Sequence, residues 1–303
     1  MGQDAERGDV SEAEQTRGVL VLVGTPLGNR GDLSPRAREA IVGADLLLCE
    51  DTRSPIRLLG EGVALPPRIS CFVANENERV ALLLEHLARG ARVAYVSEAG
   101  LPVWSDPGLR LVQAAVAEGY EVDVVPGPTA AAVALCLSGL PAEDVRFLGF
   151  LPRSGPERAA RMMELARETA TVLVYEAGNR TPALLRDLAV ALPDAATRRV
   201  AVGRELTKQH QEVLRGTVAG LAADVKEALR GEVTVVLEGA ARAELVASDP
   251  VQAAARAVWD LLWDAGLRPR EKAKQIAALT GLEPRAVYER IARGREASDE
   301  ASD

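Results

Sequence analysis

The feature that most constrains this chain is a regular alternation of short apolar runs with longer stretches of helical periodicity, sustained from residue 19 to residue 238. Apolar runs this brief, bounded by Gly, Pro, Asp and Asn, read as strands, and the amphipathic segments between them read as helices. Such β-α alternation builds a mostly parallel sheet covered by helices, so the expected fold class is α/β. In the first half, strands are expected at 19–23, 46–49, 69–72, 93–96 and 122–125, with helices at 35–42, 78–89, 108–118 and 129–137. Pro126-Gly127-Pro128 cannot continue a strand, and Thr129 is suited to cap the alanine-rich helix after it. A sharp strand-to-helix turn is expected there.

A second unit follows the loop 138–144, with strands near 146–150, 171–175, 200–204, 212–214 and 233–238 and helices near 156–168, 182–192 and 218–229. After Gly239 the strand signal vanishes. Three helices, 251–265, 270–280 and 284–293, are expected there, punctuated by Gly266, Pro269 and Gly281-Leu282-Glu283-Pro284. The expected organisation is a disordered tail (1–17), an N-terminal α/β domain (18–137), a second α/β domain (138–240), a helical appendix (250–295) and a disordered acidic tail (296–303). At 303 residues and 48% hydrophobic, the chain can bury the cores that two domains need.

Composition excludes several classes. The cysteines Cys49, Cys71 and Cys136 lie in apolar runs and form no Cys-x-x-Cys pair, so a disulfide framework or zinc site is not expected and a reducing cytoplasm fits. The histidines His86 and His210 are isolated, and no metal is expected. The acidic, polar opening carries no secretory signal, and no apolar run approaches the roughly 20 residues of a membrane span. The net charge of −8 argues against general nucleic-acid binding. Locally, however, residues 268–295 are rich in Arg and Lys, including Arg270, Lys272 and Lys274, which gives either a basic docking surface or a solvated helix face.

Four loops of unusual composition follow predicted strands, at the sheet edge where open α/β folds bind ligands. Gly24-Thr25-Pro26-Leu27-Gly28-Asn29 lacks the G-x-G-x-x-G spacing of a dinucleotide site. Glu50-Asp51-Thr52-Arg53 concentrates charge directly after an apolar strand and can orient a polar substrate or accept a proton. Ser97-Glu98-Ala99-Gly100-Leu101-Pro102, leading to Ser105-Asp106-Pro107-Gly108, has small residues that let the backbone approach a ligand. Pro126-Gly127-Pro128 is the fourth.

Taken together and in this order, the loops resemble those of the tetrapyrrole-methylase-like family of S-adenosylmethionine-dependent methyltransferases. The resemblance continues through "FLGFLP" (147–152) and Tyr175-Glu176 with Arg180. Arg204-Glu205-Leu206-Thr207-Lys208, followed by Glu212 and Arg215-Gly216-Thr217, is similar to the signature of the family's rRNA-methylating branch. The resemblance implies two α/β domains with S-adenosylmethionine in the cleft between them, a homodimer in the cytoplasm, and methyl transfer to a cytidine ribose 2′-oxygen in the decoding region of 16S rRNA of the small ribosomal subunit. Carried over residue by residue, Leu27, Ser97, Ala99, Gly100, Pro126, Gly127, Pro128, Thr129, Leu151, Glu205 and Thr234 would line the donor pocket. Glu50, Asp51, Arg53 and Lys208 would face the acceptor, with Asp51 or Lys208 as base, the latter only if desolvation depresses its pKa. Arg270, Lys272 and Lys274 would dock RNA. The chain departs from the family's usual pattern at Ala74, Glu76, Glu98, Leu101 and Asn179. Methylation of a tetrapyrrole, or a non-catalytic ribosome-binding role, are the rival expectations.

Overall fold

The computed structural model describes residues 17–241, 268–280, 283–285 and 287–288. The chain divides into two compact units: one contains both sheets, and the other consists of the segment from Gly239 onward with Arg167–Thr169.

The first sheet is wholly parallel. Its elements in chain order are β1 (Val19–Val23), α1 (Pro35–Val42), β2 (Leu46–Cys49), α2 (Ser54–Leu59), β3 (Arg68–Ser70), α3 (Glu76–Ala88), β4 (Arg92–Val96), α4 (Leu109–Ala117) and β5 (Glu121–Val125), and the strand order is β3-β2-β4-β1-β5. Its central strands are apolar throughout because helices cover both faces. Val21, Val23, Leu47, Cys49, Ala94 and Val96 pack with Ala37, Ala40 and Ile41 of α1 on one face. The alternate residues Leu20, Leu46, Leu48, Val93 and Tyr95 pack with Leu83 and Leu87 of α3 and Leu111 and Ala115 of α4 on the other. Strands β1 and β4 are neighbours, yet the chain leaves them in opposite directions across the sheet and over opposite faces. That divergence is a topological switch point, and it opens a crevice beyond the carboxyl ends of the two strands.

The second sheet is mixed, with order β6-β7-β10-β8-β9. Here β6 is Val145–Phe150, β7 Thr171–Ala177, β8 Arg199–Arg204, β9 Glu212–Thr217 and β10 Glu232–Leu237, with helices α6 (Gly155–Arg167), α7 (Thr181–Ala191) and α8 (Val218–Asp224) on one face. The opposite face is covered by α5 (Ala130–Ser138), whose Ala131 and Ala134 pack with Leu173, Ala201 and Val236. Thr129 caps α5 as expected, its hydroxyl accepting from the Ala132 amide. The Pro-Gly-Pro turn thus carries the chain out of the first sheet and onto the second.

Differences from the sequence reading are local. Strand β3 ends at Ser70 rather than 72, because the Asn75 side chain captures the Phe72 amide and turns the chain, leaving Phe72 and Val73 exposed. Helix α2 was not among the expected elements; Pro55 sits in its first turn, where a missing amide hydrogen costs nothing. Helix α8 stops at Asp224 rather than 229, since the Leu229 amide is drawn to the Gly178 carbonyl. Cys49, Cys71 and Cys136 are free. No described helix is long and apolar enough to cross a membrane. In the second unit, helix Pro269–Thr280 buries Ala273, Ile276 and Ala277 against Val287. The expected helix 251–265 and the termini lie outside the described residues.

Candidate functional site

Three of the four loops converge at the switch point. Thr25 and Gly100 bond to each other through both backbone amides, at 2.8 and 3.0 Å, tying the loop after β1 to the loop after β4. Gly24 donates to the Val125 carbonyl, and a Cβ on Gly24 would lie 2.6 Å from the Gly127 Cα, so the loop after β5 presses on the same point. Gly100 has φ +87°, and a Cβ there would lie 3.3 Å from Leu27 and 3.4 Å from the Pro128 carbonyl oxygen. Only glycine adopts this geometry without strain. The loops therefore bring together Leu27, Gly100, Gly127 and Pro128 as a backbone-lined cradle, with Ser97 and Thr129 at its roots. Leu151 is packed into the core of the second sheet, and Thr234 is buried within β10 on the face that α5 covers.

The departure at Glu98 has a structural consequence. Its longer carboxylate reaches the loop after β2, accepting from the Asp51 amide at 3.1 Å and the Ser54 hydroxyl at 2.8 Å, with Arg57 3.7 Å away. Asp51 is chelated by Arg53 and also approached by Arg57 at 3.3 Å. Hydrogen bonds from the Arg53 side chain and amide hold the Asp51 carboxyl well below the usual carboxylate range, which makes it a weak proton acceptor. Glu50 behaves oppositely. Burial raises it, and the neighbouring Asp106 and Glu98 charges raise it further. Burial also raises Asp106, reinforced by the Glu232 and Glu98 charges.

Lys208 stands across a cleft of about 890 Å³ lined by Gly28, Asn29, Arg30, Thr207, Lys208 and Gln209. Its ammonium donates to Glu205 at 3.0 Å and Glu232 at 2.9 Å. Burial works against that charge, but the two carboxylates outweigh it and raise the lysine pKa. The depressed value that would make Lys208 a base is therefore absent, and the residue is a fixed cation. Its stem packs where any side chain on residue 28 would lie, which accounts for Gly28. The Asn29 amide donates to the Thr207 hydroxyl at 3.3 Å, clasping the loop after β1 to the turn after β8. Among the described residues, the non-glycine positions with positive φ are Val103, Ser105, Glu205 and Thr207, all in the loops that frame this site. Such strain gathers where surrounding structure over-determines a functional geometry.

The loop after β4 is further secured by Glu76, a second departure, which is 6% exposed. Its carboxylate accepts from the Gly108 and Arg110 amides at 3.0 Å, capping α4 where helical amides lack partners. Glu76→Ala would bury those amides unpaired and is expected to cost about 1–3 kcal/mol. Urea denaturation checks this, and an unchanged midpoint would contradict it.

Arg30, Ser54, Arg57 and Asp106 line or influence the site without having been assigned to it from sequence. A groove-lining arginine has the same local pattern as a solvated one, whereas Asp106, in a small-residue loop after a strand, carried a usable signal. Trp104 stacks on Phe147 at 5.0 Å, and Tyr175 meets Phe147 and Phe150 edge-on. In the second unit, Arg270 and Lys274 are exposed and Lys272 is half-buried, on the helix that buries Ala273, Ile276 and Ala277.

The pattern of the tetrapyrrole (corrin/porphyrin) methylases matches residues 19–222. The chain is 40% identical over 284 residues to the ribosomal RNA small subunit methyltransferase I of Mycobacterium tuberculosis, covering 92% of this chain and 96% of that protein. It is 41% identical over 223 residues to the protein of the same name from Thermotoga maritima, covering 73% and 99%. Among solved structures, uroporphyrin-III C-methyltransferase from Thermus thermophilus, complexed with S-adenosylhomocysteine, shares the fold with a TM-score of 0.52 at 20% identity, covering 77% of this chain and 100% of that one.

Proposed function

From its membership of the tetrapyrrole methylase family, to which the chain belongs, we propose that this methyltransferase uses S-adenosylmethionine to methylate 16S rRNA of the small ribosomal subunit, at the 2′-oxygen of a cytidine ribose in the decoding region. The observation that carries the reading is the clasp of Thr25, Gly100 and Gly127 at the switch point, beside a group of carboxylates and opposite a fixed lysine.

The residues fit a cationic donor. The glycines let the backbones of the loops after β1, β4 and β5 meet at one point, and the adjoining loops carry the carboxyls of Glu50, Glu98 and Asp106, surroundings that favour a sulfonium. Leu27, Ser97, Ala99, Gly100, Pro126, Gly127, Pro128, Thr129, Leu151, Glu205 and Thr234 are the assigned donor-pocket residues, several of them through backbone groups. When bound, the donor supplies an activated methyl group, so no metal is called for. Of the two adjacent carboxylates Glu50 is the stronger base, since burial and the Asp106 and Glu98 charges raise it while Arg53 lowers Asp51, and we assign it the ribose hydroxyl proton on that comparison and on its place in the loop after β2. Asp51 and Arg53 shape the wall beside it. Lys208, held by two carboxylates, orients the acceptor rather than deprotonating it.

The same reading makes the protein a homodimer and a cytoplasmic enzyme, with Arg270, Lys272 and Lys274 engaging RNA. Support for an RNA acceptor comes from the relatives' names and the exposed basic side chains of helix Pro269–Thr280. Isothermal titration in metal-free buffer tests the donor assignment. Binding of S-adenosylmethionine that survives EDTA is expected, and no heat of binding, or binding lost on chelation, would contradict it.

A further inference from the structure

Two grooves meet at one side chain. The cleft opposite Lys208 and a smaller groove of about 180 Å³, lined by Pro26, Gly28, Arg30, Ser54, Arg57, Leu58 and Glu98, share Gly28 and Arg30. Arg30 begins a 3-10 turn, Arg30–Asp32, whose preceding Asn29 caps it by accepting from the Gly31 amide at 2.9 Å. Asn29 is itself tied to Thr207 across the cleft. The arginine therefore projects from a pinned backbone at the groove junction.

The neighbouring cations are already engaged. Arg53 and Arg57 share Asp51, Arg57 also approaches Glu98, and Lys208 is held by both Glu205 and Glu232. One ammonium between two carboxylates leaves that patch net negative, a poor place for an anion. Arg30 is exposed and makes no ion pair among the described residues. Its guanidinium can offer two parallel N–H donors to a tetrahedral oxyanion, which a lysine cannot match.

We propose that Arg30 grips a backbone phosphodiester of the RNA acceptor strand, setting which ribose reaches the cleft between Lys208 and the donor loops. The inference rests on the reading of the substrate as ribosomal RNA. It makes Arg30 a positioning residue, not a catalytic one: its loss raises KM for RNA and leaves donor affinity and the low-pH limb of kcat where they were.

The test uses the full-length protein, tritiated S-adenosylmethionine and purified small ribosomal subunits lacking the modification. Filter binding of the subunits without donor provides a second readout. Arg30→Ala is expected to raise KM and the subunit dissociation constant about tenfold, the loss of one charge-assisted hydrogen-bonded contact. It should also flatten the dependence of log affinity on log salt by roughly 0.7 for a single-stranded segment. Arg30→Lys should recover the salt slope but only part of the KM, since it restores charge without the planar fork. A parent that methylates subunits, alongside variants with unchanged KM and salt slope, overturns this inference alone. A parent that transfers no methyl to subunits overturns the proposed function and this inference with it.

Discussion

Gly100→Val is expected to weaken S-adenosylmethionine binding by roughly 5- to 150-fold while the protein still unfolds in one cooperative transition. Gly100 sits at φ +87° with Leu27 and the Pro128 carbonyl closing on the position its Cβ would take. A β-branched residue forced into that region costs of order 1–3 kcal/mol, and relief requires the loops after β1, β4 and β5 to part. The fold survives because the strands beneath are paired along their length. Gly139→Ala is the control: its φ is +73°, but nothing lies within 4 Å of the new Cβ. It should lose some stability and keep donor affinity. Calorimetric titration of both variants, beside urea denaturation, separates strain from a donor contact. Unchanged affinity in Gly100→Val would remove the donor from these loops.

Replacing Glu50 by Gln is expected to lower kcat by about 10²–10⁴, the usual contribution of a positioned general base, and to abolish the low-pH limb of the rate profile. In the parent, activity falls as pH drops through the raised Glu50 pKa, because the protonated carboxyl cannot accept the ribose proton. Stability moves the other way. A carboxyl whose folded pKa is raised contributes stability below its unfolded pKa and loses it as pH rises through the folded one. At neutral pH the ionised Glu50 is thus a liability, and Glu50→Gln should melt at or above the parent temperature. A variant that is inactive and also less stable would indicate structural damage. A variant with full activity and an intact low-pH limb would exclude Glu50 as the base.

Element types along residues 19–238 were legible because both signals were strong. Wholly apolar strands such as Val19–Val23 and Leu46–Cys49 have no polar face to blur them, and Thr129 announces α5 by capping chemistry. Boundaries were less legible where side chains capture backbone amides, as Asn75 does beyond β3. That α5 belongs to the face of the second sheet was hidden, since an alanine-rich helix with apolar residues on several sides does not declare its partner. Composition located the loops of the site but not the division of labour within them. Asp51 and Glu50 are adjacent carboxylates whose pKa values part only in three dimensions: the Arg53 side chain and amide lower Asp51, whereas burial, with the Asp106 and Glu98 charges, raises Glu50. Lys208 is similar: Glu232 lies 24 residues away in sequence, yet it turns a possible base into a fixed cation.

The most direct test of the account is nucleoside mass spectrometry, with ribose-methylation mapping, of 16S rRNA after purified protein and S-adenosylmethionine are incubated with small ribosomal subunits that lack the modification. 2′-O-methylcytidine is expected to appear at one position in the decoding region, dependent on both protein and donor. Methyl label on a base, or subunits left unmodified while a tetrapyrrole is methylated under the same conditions, would contradict it.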